Sequence, residues 1–169
     1  MKQKSLDVAI FGMLGALLYV SKLVLEFLPN VHLIGTFIVA ATVVYRARAL
    51  YPIYVFVLLS GIFGGFSLWW IPYLYIWTIL WAATMLLPKN MARKTKCIVY
   101  PAVCCLYGLL YGTLYAPAQA VLFGMSFKAT LAWIVAGFPF DALHGLGNLF
   151  SGLLIVPLSD LLQKLAGKV

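Results

Sequence analysis

The chain has 169 residues, 64% of them hydrophobic and only 9% charged. Soluble domains run at about a quarter charged, so a soluble globular fold is excluded and an integral membrane protein is expected. The formal net charge of +8 does not point to nucleic acid, because the basic residues form short clusters between apolar runs, as orientation in a bilayer requires.

A crossing takes about 20 apolar residues, fewer where neighbouring helices help. Six segments fit. The first runs from Asp7 to Leu28 and stops at Pro29-Asn30. No small-residue cleavage site follows a short apolar core, so no removable signal peptide is read. The second is short, from His32 to Tyr45, and the third runs from Tyr51 to Phe63, near Gly64-Gly65. The fourth runs from Trp70 to Leu87 and is stopped by Pro88-Lys89-Asn90. The fifth runs from Ile98 to Leu114, with a tail to Phe123, and the sixth from Phe140 to Leu162. Joining residues 127–137 to the sixth would give a helix of about 35 residues, far more than a bilayer needs. Lys128 to Ala136 is therefore read as a short outer or interfacial helix, with Pro139 in the first turn of span six, a position that suits proline.

Lys2 and Lys4 precede span one, Arg46 and Arg48 separate spans two and three, and Lys89, Arg93, Lys94 and Lys96 separate four and five. Lys164 and Lys168 follow span six. Six spans place all four groups on one side, which predicts both termini in the cytoplasm. The expected fold is all-α: a single membrane domain over residues 1–169, built of six transmembrane helices with a short outer helix before the sixth, multi-pass in a cell membrane of bacterial type.

Ionisable groups at membrane depth are costly and mark functional sites by default. Asp141, His144 and Asn148 are spaced to share one helix face, and Gly145 and Gly147 beside them allow close approach of a backbone or a ligand. Asp141 in a first turn would sit at the positive end of the helix. The face reads either as a polar ladder into a pocket, or as a cap followed by interhelical hydrogen bonds. Trp70, Tyr73 and Trp77 also share a face, and serve either as an interfacial belt or as walls for a flat ligand. Around the first outer loop stand Glu26, Asn30 and His32; Lys22 and Glu26 are spaced for an ion pair, the alternative being a loop that closes over a solute. Ala9, Gly12 and Ala16 form a small-residue stripe on span one, suited to close helix contact. Tyr107, Tyr111 and Tyr115 form a stripe on span five, facing either a pocket or the packed interior.

Cys97, Cys104 and Cys105 have neither a CxxC pattern nor a nearby His, so no metal set is read, and the adjacent pair is expected to pack as small apolar residues. HExxH, GxSxG and P-loop motifs are missing. The chain is therefore not read as an enzyme, although His144 and Asp141 are spaced to act as an acid–base pair in a small membrane enzyme. A ligand-free assembly subunit is the other alternative.

The chain resembles the substrate-binding S components of energy-coupling factor (ECF) transporters. The resemblance covers nearly the whole chain and is carried by Gly12-Met13-Leu14-Gly15-Ala16, Leu28-Pro29-Asn30-Val31, Trp69-Trp70 with Tyr73-Leu74-Tyr75, and Gly137-Phe138-Pro139-Phe140-Asp141 running into His144-Gly145 and Asn148. It implies capture of a vitamin or vitamin precursor from outside, and association with a membrane T component and two cytoplasmic ATPases. ATP is then used by the partners, and this chain binds no cofactor of its own. It also implies docking on the T component through Ala9, Gly12 and Ala16, although the family often has Ala-xxx-Ala where this chain has Gly12-xxx-Ala16. The pocket is implied at Asn30 and His32, Trp70, Tyr73 and Trp77, Tyr111, then Asp141, His144 and Asn148. Metal-transporting members carry an N-terminal histidine segment that is missing from Met1-Lys2-Gln3-Lys4, so nickel and cobalt are not expected. The rings and few charges suit a neutral or weakly polar aromatic vitamin, a pyridoxine-like or hydroxymethylpyrimidine-like ring first, with riboflavin, folate or a deazapurine as the alternatives.

Overall fold

The computed structural model describes residues 2–28 and 31–167, with side chains from residue 6. Among these residues the secondary structure is entirely helical: α1 (Lys2–Val24), α2 (Ile34–Tyr45), α3 (Leu50–Gly64), α4 (Tyr73–Met85), α5 (Arg93–Leu109), α6 (Tyr111–Phe123), α7 (Phe127–Gly152) and α8 (Ile155–Ala166). Four helical stretches are long and apolar enough to cross a membrane: Leu6–Val24, Ile34–Gly64, Arg93–Phe123 and Phe127–Gly152; Tyr73–Met85 is apolar but shorter.

Side-chain contacts give the direction of each leg. Phe11 of α1 lies 5.2 Å from the ring of Tyr45, at the end of α2, and 5.6 Å from that of Tyr51, at the start of α3. Further along α1, Tyr19 stacks 5.4 Å from Phe63. Helices α1 and α3 therefore run parallel, and α2 runs against both. The apolar stretch Ile34–Gly64 is folded back on itself at a 3-10 turn, Arg46–Ala49, where Arg46 adopts φ 55°. Helix α4 descends to the same turn, with the Arg46 guanidinium donating to the Met85 carbonyl at 3.0 Å. Helices α5 and α6 rise together with a small break at Leu110, and α7 and α8 return. Asp160 of α8 meets Arg93 of α5 at 2.7 Å, closing the basic end of the molecule.

Helix α2 sits at the centre. Ile34, Ile38, Val39, Ala40 and Thr42 are all buried, and an apolar helix with no polar face belongs inside a bundle. Phe56, Trp77, Leu80, Tyr107 and Ile155 pack in the same cluster. The periphery is apolar as well: Val121 is 83% exposed, Phe127 79% and Val135 73%. Soluble monomers rarely present such continuous apolar surface, whereas a lipid-facing surface requires it.

The end of the chain departs from the sequence expectation. Residues Lys128–Ala136 do not form a separate outer helix, and Pro139 does not start a span. Both lie within the single helix α7, capped by Ser126, whose hydroxyl accepts from the Ala129 N–H at 3.3 Å. Proline removes one backbone donor, and membrane helices tolerate this where neighbours hold them. Here α5 and α6 hold α7 along its length, from Trp133 stacked 6.2 Å from Tyr115 down to Gly152 against Pro101. The expected sixth span, Phe140 to Leu162, is instead divided by a turn at Leu153–Leu154.

Candidate functional site

At the end opposite the basic cluster, the loop between α1 and α2 carries His32 into the bundle. A cleft of about 230 Å³ opens there, walled by Lys22, Leu25, Glu26, Leu28 and Val31 on the α1 side, and by His32, Tyr73, Tyr111 and His144. The two imidazoles meet edge to face, 4.6 Å between centroids. Tyr111 lies 4.7 Å from His144, and Trp77 lies 6.1 Å from His32 and 5.3 Å from Tyr73.

Polar atoms around this cluster are buried, and among the described residues His32 Nδ1, His144 Nε2, Trp77 Nε1, Thr36 Oγ1 and Asn148 Oδ1 have no hydrogen-bond partner. A lost partner for such a group costs about 1–3 kcal/mol, so several together point to a bound polar molecule or ordered water. A neutral imidazole has one ring nitrogen to donate and one to accept.

The sequence-predicted residues divide. His32, Tyr73, Tyr111 and His144 line the cleft together. Trp77 is 1% exposed and backs the imidazoles. Asn148 lies deeper, donating to the Cys104 carbonyl at 3.2 Å, with its Oδ1 free. Trp70 is not in the cleft; its indole donates to the Val57 carbonyl at 2.8 Å and packs on Phe66. Asn30 lies outside the described residues. Lys22 and Glu26 do not form the expected ion pair: the Lys22 ammonium sits over the Trp69 ring, 5.3 Å from its centroid. Of the tyrosine stripe only Tyr111 faces the cleft, while Tyr107 and Tyr115 donate to the carbonyls of Ile76 and Trp69.

Asp141 has a different task from the one its position suggested. Both its carboxylate oxygens accept from the Gly112 N–H at 3.0 Å. The break at Leu110 leaves that N–H in the first turn of α6 without an intrahelical partner. The carboxylate of α7 therefore caps α6 and lies at its positive end. His144 is not hydrogen-bonded to Asp141 among the described residues, so the two are not assembled as base and orienter.

Gly35 was not singled out from the sequence, yet its missing Cβ leaves room beside Asn148 Oδ1 and Cys104 Sγ. Thr36, buried with a free hydroxyl, was also missed; a lone hydroxyl in the run Ile34-Gly35-Thr36-Phe37 was the available signal. The stripe Ala9, Gly12 and Ala16 faces outward, with nothing within 4 Å of a Cβ built at Gly12. Close approach instead occurs at Gly15, against Val55 and Pro52. Among the described residues no three His, Cys, Asp or Glu side chains gather to hold a metal.

No protein-family model matches the chain, and no curated protein or solved structure matches it significantly.

Proposed function

We propose that this chain is the substrate-capture subunit of an ECF-type importer and takes a small, flat, uncharged vitamin or vitamin precursor into the cleft at His32 and His144. The observation that carries this reading is the cluster of unpartnered buried nitrogens, His32 Nδ1, His144 Nε2 and Trp77 Nε1, beside the aromatic side chains of Tyr73 and Tyr111. A heteroaromatic ring with hydroxyl or amino substituents supplies both donors and acceptors to such atoms, and its face packs on the tyrosines.

On this reading the chain crosses the membrane six times, through α1, α2, α3, α4, α5–α6 and α7–α8, with both termini and the Arg46–Arg93 end in the cytoplasm. Support comes from Arg46, Arg48, Arg93 and Lys96 gathering at one end, as orientation by basic residues predicts. The cleft then opens outward. The outward small-residue stripe Ala9, Gly12 and Ala16 would dock on the T component, and two ATPases would supply the energy.

Calorimetric screening of the purified protein against B vitamins and their ring precursors tests the reading. One compound should bind with a stoichiometry of one; absence of binding by every compound would count against it.

A further inference from the structure

A second cavity, of about 240 Å³, lies at the other end of the bundle. It sits under the turn that reverses the chain between α2 and α3, where α4 and α8 end and α5 begins. Arg46, Lys89 and Lys96 line it, with Tyr100, Thr84 and Gln163. Among the described residues no carboxylate lines the cavity with these three cations. The chain has four acidic residues, and all are placed elsewhere. Asp7 pairs with Arg48 at 3.0 Å and Asp160 with Arg93 at 2.7 Å. Asp141 caps α6, and Glu26 stands at the opposite cleft.

The backbone adds an independent observation. Arg46 is the only described non-glycine residue with positive φ, at 55°, a conformation that costs a side-chain-bearing residue about 1–3 kcal/mol and gathers at functional sites. Its carbonyl accepts from Trp81 Nε1 at 3.1 Å, and one guanidinium nitrogen donates to the Met85 carbonyl. A guanidinium has five donors, so the side chain is held at the cavity with donors to spare. Tyr100 also makes no hydrogen bond through its hydroxyl among the described residues.

We propose that this cavity is an anion site that takes a phosphate ester, with Arg46, Lys89 and Lys96 as its charged ligands and Tyr100 as a neutral donor. Three uncompensated positive charges match the charge of a phosphate ester better than a single carboxylate, and arginine suits its oxygens. The ester has two sources. Basic pockets between membrane helices take lipid head groups, and a soluble phosphomonoester carries the same chemistry.

The test uses the full chain in phosphatidylcholine nanodiscs and reads thermal stability. One arm adds sn-glycerol 3-phosphate at constant ionic strength; the other replaces part of the lipid with phosphatidylglycerol. Stabilisation in the first arm assigns a soluble phosphate ester, and stabilisation in the second alone assigns the lipid head group. Lys89→Gln with Lys96→Gln should raise the amount of glycerol phosphate or phosphatidylglycerol needed for the same stabilisation at least about tenfold, the scale of one charge-assisted hydrogen bond. Lys94→Gln, exposed at the same end but outside the cavity, should leave it unchanged. The proposal is overturned if neither arm stabilises the protein, if the double variant responds like the native chain, or if Lys94→Gln weakens the effect as much.

Discussion

His144 and Asp141 sit one helical turn apart and do different work. His144 turns its ring to His32 and Tyr111 and keeps a buried nitrogen free. Asp141 spends both oxygens on the Gly112 N–H. Their alanine variants should therefore separate. Asp141→Ala leaves a buried donor unpaired and should lower stability by about 1–3 kcal/mol, while ligand affinity changes by less than about threefold. His144→Ala should weaken binding at least about tenfold, the loss expected of one hydrogen bond in a dry site, with little change in melting temperature. Parallel melting and calorimetry on the two variants checks both outcomes. The spacing of Asp141, His144 and Asn148 was legible in the sequence, whereas the residues alone grouped His32 with Glu26 and Asn30, and only the resemblance set it beside the aromatic residues. The partner of Asp141 was not, because the free N–H of Gly112 exists only through the break at Leu110. Trp70 was misplaced for a similar reason: helical spacing puts it beside Tyr73, but its indole finds the Val57 carbonyl across the bundle.

Among the elements, the crossing of α5 with α7 fixes the depth of the cleft. A Cβ at Gly108 would come within 2.8 Å of the Gly145 backbone and 2.9 Å of Asn148 Nδ2. Backbone cannot step aside as a side chain can, so this crossing depends on both glycines, as small residues at membrane interfaces generally permit. Gly108→Ala should destabilise the protein by about 1–3 kcal/mol, the usual cost of overpacking, and weaken ligand binding by moving His144. Gly12→Ala, where nothing lies within 4 Å, should leave the melting temperature unchanged; equal losses in the two variants would refute the assignment of the crossing. Apolar runs identified most helices, but not the continuity of α7. Pro139 is a start signal on local grounds, and only the packing of α7 along α5 and α6 explains why the helix runs through it.

At the scale of the molecule, Arg46, Arg48, Lys89, Arg93 and Lys96 gather at one end and the aromatic cleft lies at the other. Cys97 is exposed beside Arg93 and Lys96, whereas Cys104 is buried in the bundle. A membrane-impermeant thiol reagent should label Cys97 in inverted vesicles and spare it in intact cells; labelling in intact cells would reverse the proposed orientation. The most direct test of solute capture is native mass spectrometry of the purified chain. It should show one small molecule retained by the native protein and lost from the His32→Ala, His144→Ala double variant. Retention of the same molecule by that variant at native occupancy would contradict the account.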